Sequence, residues 1–200
     1  MLIGESFIGE GAEAAHVNTV LGDRDGPVGI AWATALATPG PGHTPFVAVL
    51  RPGVPAKPMT LFVNKATVAG PGHSELTWGA AQAGVAAGVA DAVSEGIVSA
   101  ADANRLLLIA AVWVNPAAKD ADQVYANNRA ATRQALRAGA EGLPRIADVL
   151  VPPASRPTRS TPPPRSGSRS EDHRYPALPD AVAAGPAVPR GLGPGAPPGV

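Results

Sequence analysis

Residues 2–22 read LIGESFIGEGAEAAHVNTVLG, and this stretch decides how the chain begins to fold. Two runs, 2–9 and 14–21, flank a Gly-containing turn, which predicts a pair of strands. In the second run the pleat puts His16, Asn18 and Val20 on one face and Val17, Thr19 and Leu21 on the other. Two polar residues in succession are odd on a core face and ordinary at a site. His16 therefore has two readings. It is a core histidine with satisfied nitrogens, or it is the titratable group that a reaction needs.

The pattern continues outward from this hairpin. Asp25 as cap and Pro27 near the first helical position start a helix. Its apolar side is Ile30, Ala33, Thr34 and Ala37, widened by Trp32 and Leu36, and PGPGH at 39–43 ends it. TPFVAVLRP, 44–52, is a continuous apolar run and predicts a strand buried on both faces. MTLFVNKATVA, 59–69, predicts another, with Val63, Lys65 and Thr67 on one face and Asn64 and Ala66 on the other.

GAAQAGVAAGVADAVSEG, 79–96, is a helix in which Val85, Val89 and Ala92/Val93 recur at helical spacing. Gln82 lies in its first turn and Gly96 caps its end. Its Ala/Gly content lets a neighbouring backbone come close. A strand near 105–114 follows, then a helix over 119–142 with Val124, Asn128, Ala131 and Ala135 aligned. The order ββαββαβα predicts an α/β (α+β) two-layer sandwich with a mixed sheet.

Composition divides the chain. Of its 23 prolines, 13 fall in residues 151–200. That segment has no run able to bury a face, cannot offset its ordering entropy, and is expected to be a disordered Pro/Arg-rich tail. Residues 1–150 are expected to be one domain, large enough for a real core. The domain carries 10 Lys+Arg against 13 Asp+Glu, and the tail 6 against 3, so neither part has the charge that nucleic acid demands. Without cysteine there is no disulfide framework, thiolate metal site or Cys nucleophile. No signal segment or membrane-spanning run is read, and a soluble cytoplasmic protein is expected.

Chemistry-bearing residues are few. His43 and His73 each close a GPGH stretch, at 40–43 and 70–73, and read as exposed loop residues after Pro/Gly turns. His16, His43 and His73 lack metal-ligand spacing and a carboxylate pair, so no metal site is expected. No G-x-S-x-G elbow, P-loop or G-x-G-x-x-G stands in strand–turn–helix context. Taken alone, Lys65 reads as a surface strand lysine, and Gln82 as a helix-start residue bonding local backbone.

Read together, four stretches change this picture: GESFIGEGAEAAHVNTVLG, GHTPFVAVLRPGVPAKPMTLFVNKATV, WGAAQAGVAAGVADAVSEGI and VYANNRAATRQAL. They resemble, in order and over nearly all of residues 3–150, the formaldehyde-activating enzyme family. The resemblance implies condensation of formaldehyde with tetrahydromethanopterin, a reaction of one-carbon metabolism and methylotrophy, giving 5,10-methylenetetrahydromethanopterin and water. It implies a homopentamer of two-layer subunits, of the ribosomal-protein-S5-domain-2-like type, with a pterin site between neighbours. The catalytic histidine falls on His16. Pterin contacts fall on Asn18, Val47, Lys65, Thr67 and Gln82.

Some positions depart from the family pattern. Val47 replaces a leucine, Asn18 an aspartate, Asn115 a histidine, and Asn127 and Arg129 tyrosines; Ala80 stands where GPAQ has proline. Asn18 matters most. Asparagine accepts a hydrogen bond but supplies no charge to hold an imidazolium. Losing a charge-assisted bond costs about 1.5–3 kcal/mol, roughly tenfold to a hundredfold in rate. Two readings follow: a hydro-lyase with His16 as general acid, or a non-catalytic paralogue that binds a pterin or formaldehyde as sensor or carrier. A structural oligomer keeping only the scaffold is a third.

Overall fold

A computed structural model describes residues 1–150; the expected tail at 151–200 lies outside the described residues. The hairpin forms as the sequence predicts. β1 (Leu2–Ile8) pairs antiparallel with β2 (Ala15–Asp23), setting Glu5 opposite Asn18 and Phe7 opposite His16. Helix α1 (Pro27–Ala37) follows, then three short strands: β3 (Phe46–Val47), β4 (Val49–Arg51) and β5 (Val54–Pro55). Next come β6 (Met59–Asn64), α2 (Gly70–Glu75), a π-helical turn over Leu76–Ala81, and α3 (Gln82–Ser94). β7 (Leu106–Trp113), α4 (Ala121–Glu141) and the short α5 (Ile146–Val149) complete the described part.

The main sheet has five strands in the order β1-β2-β7-β6-β3. β6 and β7 are parallel and the other pairs antiparallel, so the sheet is mixed as expected. Its two faces differ sharply. Ala15, Val17 and Leu21 of β2, Leu108, Ala110 and Val112 of β7, and Phe62 of β6 meet Val85 and Val89 of α3 and Val124 and Ala131 of α4 in one core. This is the two-layer sandwich. The opposite face carries His16, Asn18 and Val20 of β2, all half-buried, level with Trp113, Ala111 and Ile109 of β7. One end of that face is covered by α1, whose Val28 packs over Gly22.

Close helix packing needs the small residues. A Cβ on Gly84 or Gly88 would run into the Tyr125 and Arg129 carbonyls of α4, and one on Gly4 into the Ala135 carbonyl. α4 itself begins at Asp120, whose carboxylate accepts from the Gln123 N–H at 3.0 Å, and ends at Gly142 in left-handed backbone (φ 65°). Gly96, at φ 74°, plays the same part after α3.

Four expectations are corrected. The run 44–52 is not one strand buried on both faces: β3 is a sheet edge, Leu50 is 46% exposed, and β4 turns back through Gly53 to pair with β5. The chain leaves the sheet because the Val49 N–H and C=O are taken by the Gln82 side chain. The strand expected over 59–69 stops at Asn64, whose amide donates to the Gly42 and Ala66 carbonyls, both at 2.8 Å, and turns the chain.

The third concerns GPGH at 70–73, which is the first turn of a helix and not a loop. Pro71 is preset for that position, and the helix therefore starts nine residues before the Ala/Gly-rich pattern at 79. Fourth, the cap of α1 is Gly26, not Asp25, and its apolar side faces outward, with Ile30 72% exposed.

Candidate functional site

The site begins with the hairpin register. β1 and β2 turn Glu5, His16 and Asn18 to the same face, and the glutamate reaches diagonally to the histidine. The Glu5 Oε1 lies 2.9 Å from His16 Nε2, with the two side chains 58% and 36% exposed. The Phe7 ring, directly across the ladder, sits 6.0 Å from the His16 ring, tilted. His16 is thus neither in packed hydrocarbon nor loose on the surface: one nitrogen is held and the ring has an aromatic neighbour.

Lys65 completes this group. Although β6 ends at Asn64, the Lys65 N–H still bonds the Val112 carbonyl of β7 at 2.7 Å, which fixes its backbone beside the sheet. Its Nζ then donates to Asn18 Oδ1 at 2.7 Å. Burial pushes the Lys65 ammonium below the ordinary lysine range, and the nearby Glu5 carboxylate opposes that push. An ammonium has no lone pair, so the atom it meets must be the Asn18 oxygen.

The other expected contacts lie elsewhere on the subunit. Thr67 is in the loop after β6, where its hydroxyl meets His43 Nε2 at 3.1 Å. His43 Nδ1 lies 2.9 Å from the Asn64 carbonyl, which can only accept, so Nδ1 donates there. His43 is therefore half-buried and engaged, not a free loop residue. Val47 lies on the edge strand β3 beside Leu61. Next to it a shallow apolar cavity is lined by Thr44, Phe46 and Trp78. Gln82 starts α3 on the helical side. Its Oε1 accepts from the Val49 N–H at 2.9 Å and its Nε2 donates to the Val49 carbonyl at 3.2 Å, a partner distant in sequence rather than local backbone.

One subunit therefore brings together His16, Asn18 and Lys65. It sets Val47 apart, because β3 is three strands from β2, roughly 14 Å at ordinary strand spacing, while Thr67 bonds His43 and Gln82 bonds Val49. Sequence reasoning missed Glu5, although the period of LIGESFI already places Glu5 and Phe7 on one face. It also misjudged His73, which is 3% exposed: its Nδ1 accepts from the Ala69 N–H and its Nε2 donates to the Val114 carbonyl, tying α2 to the end of β7. The departures at 127 and 129 have local partners. Asn127 donates to the Glu13 carbonyl at 2.7 Å, and Arg129 clamps Asp91 with two bonds. Among the described residues no three His, Cys, Asp or Glu side chains gather as a metal would need. Among them, too, no helix is long and apolar enough to cross a membrane.

The chain is similar in sequence to known proteins. The model of the family described as "Formaldehyde-activating enzyme (Fae)" matches residues 3–156. The "Bifunctional enzyme Fae/Hps" of Methanococcoides burtonii is 46% identical over 150 residues, 75% of this chain and 38% of that protein. The same-named protein of Archaeoglobus fulgidus is 45% identical over 148 residues, 74% of this chain and again 38% of the relative. This chain thus matches little more than a third of the bifunctional relatives' length. The "5,6,7,8-tetrahydromethanopterin hydro-lyase" of Methanosarcina barkeri is 41% identical over 150 residues, 75% of this chain and 84% of that protein.

Proposed function

Because this chain belongs to the formaldehyde-activating enzyme family, we propose that it condenses formaldehyde with tetrahydromethanopterin to 5,10-methylenetetrahydromethanopterin and water, with His16 as general acid. The observation that carries this is the placing of a half-buried His16 on an open sheet face with Glu5, Asn18 and Lys65 around it. The name of the Methanosarcina barkeri relative supports tetrahydromethanopterin as a substrate, and the family's description supports formaldehyde.

The chemistry needs little else. One pterin amine adds to formaldehyde and gives a carbinolamine. His16, in its protonated form, gives a proton to the hydroxyl, which leaves as water. The second amine closes on the iminium, and its N–H proton returns to His16. Histidine suits this exchange because its ordinary pKa, ~6.5, lies near working pH. Formaldehyde reacts with amines unaided, so orientation supplies much of the gain.

The pterin lies between neighbouring subunits of a cytoplasmic homopentamer, contacted by Asn18, Val47, Lys65, Thr67 and Gln82. The separation of β2, which carries His16 and Asn18, from β3, which carries Val47, supports a shared site. Exposed apolar residues beside the open face, Ile3 at 59% and Phe7 at 46%, fit burial by a neighbour. Gln82 keeps one donor and one lone pair beyond its bonds to Val49. Residues 1–150 form the domain that carries this site.

Stopped-flow comparison of methylene-pterin formation with and without the protein tests the activity. Acceleration over the spontaneous reaction, lost in His16→Ala, is expected; no acceleration at any pterin concentration rejects it. The second reading, a carrier or sensor, draws on one observation: position 18 holds an uncharged amide whose oxygen accepts from Lys65. Pterin binding without acceleration would select it.

A further inference from the structure

We propose that Glu5 is the positioning residue of this site: it holds His16 Nε2, so that the proton exchanged with substrate travels on Nδ1. The role of Nδ1 rests on the proposed activity; the hold on Nε2 does not.

The argument is one of hydrogen-bond direction. A carboxylate has lone pairs and no proton to give, so at 2.9 Å from Glu5 Oε1 the Nε2 atom must carry the hydrogen. In the neutral ring that leaves Nδ1 as the lone pair, and in the charged ring Nδ1–H is the proton not already committed. Among the described residues, the side chains in contact with the ring or in register beside it bring no second acceptor to Nε2. Phe7 and Trp113 flank it from the adjacent strands as cross-strand partners. Lys65 is itself a donor and is turned to Asn18.

Asn18 does not take over the task, because its oxygen is turned to Lys65 and an amide brings no charge. Where the family pattern has a carboxylate at 18, this chain draws the negative charge beside its histidine from the other strand of the hairpin. Glu5 sits opposite Asn18 in the register, one diagonal step from His16. Strand geometry fixes that distance, so the orienting group is built on a rigid element.

The consequence is a division of labour between the ring nitrogens. With Nε2–H pinned, the ring cannot flip to present either nitrogen at random. Nδ1–H gives its proton to the carbinolamine hydroxyl, the C–O bond breaks, and water departs. The proton lost from the second amine then returns to Nδ1, so the ring ends as it began.

The test uses the full chain. Long-range 1H–15N correlation of the His16 imidazole should show the neutral ring protonated on Nε2, and an Nε2–H signal that broadens by solvent exchange in Glu5→Ala. A neutral ring protonated on Nδ1, or a signal indifferent to Glu5→Ala, overturns the hold. In turnover assays Glu5→Ala should lower kcat about three- to tenfold, the modest range set by a half-exposed carboxylate, with the pterin KM nearly unchanged. Glu5→Gln, which still accepts from Nε2–H, should fall between. Nδ1-methylhistidine at position 16 keeps the Glu5 contact and should abolish acceleration, and retained acceleration overturns the Nδ1 assignment. A wild-type protein without acceleration sinks the proposed activity and the Nδ1 role with it. The imidazole spectrum still decides the Glu5 hold.

Discussion

The Lys65 ammonium donates to the Asn18 side-chain oxygen at 2.7 Å, joining residues 47 positions apart in the chain. This single bond determines what position 18 offers a ligand. One lone pair of the amide oxygen is taken by a group that can only donate, so the second lone pair and the NH2 are what remain. An aspartate there would present lone pairs and a charge.

Asn18→Asp should therefore strengthen catalysis. It places a carboxylate between Lys65 and the His16–Glu5 pair, restoring a charge-assisted bond of about 1.5–3 kcal/mol. If that bond is felt in the transition state, kcat rises roughly tenfold or more. Stopped-flow turnover of the two proteins checks this. A rate unchanged or lower in Asn18→Asp means that position 18 is not where charge is short.

Lys65 should leave a signature in alkaline stability. Burial lowers its pKa in the folded chain below the ordinary 10.5. Between the folded and unfolded values the unfolded chain binds the extra proton, so stability rises with pH across that window. Below the folded value the cost of burying the charge is fully present. The stability of wild type relative to Lys65→Met should therefore improve as pH climbs towards 10.5. Urea unfolding of both proteins from neutral to alkaline pH measures it, and a difference that stays flat contradicts the assignment.

Gln82 is a bracket for β4 as well as an expected pterin contact. It is 9% exposed, and both ends of its amide hold the Val49 backbone. Gln82→Ala leaves a partly buried N–H and C=O without their partner and should cost about 1–3 kcal/mol. The Val49 amide should also exchange with solvent faster. If unfolding and exchange match wild type while pterin binding weakens, Gln82 acts on ligand alone.

Gly88→Ala should destabilise, because its Cβ would press on the Arg129 carbonyl and the Thr132 side chain of α4. The penalty for such overpacking is about 1–3 kcal/mol. Gly72→Ala is the control: it is helical with open space around it and should gain up to about 0.5–1 kcal/mol. Thermal or urea unfolding of the pair decides it, and equal shifts in both would mean that the α3–α4 approach is not limited by Gly88.

The sequence by itself determined the hairpin, the faces of β2, the long helices with their Gly ends, and the mixed two-layer class. These follow from local periodicity and from backbone positions that glycine alone takes easily, as at Gly96 and Gly142. Tertiary structure decided what depends on partners far along the chain. TPFVAVLRP looked like a core strand, but its Val49 backbone is captured by Gln82, 33 residues on. GPGH looked like a loop at both places, yet His73 is buried between Ala69 and Val114 while His43 serves Thr67. The histidine at 16 was legible as a candidate from its polar face; the carboxylate that holds it was not. Glu5 reaches His16 only because the hairpin register sets it opposite Asn18, and strand pairing, unlike strand periodicity, is fixed by contacts between segments and not within them.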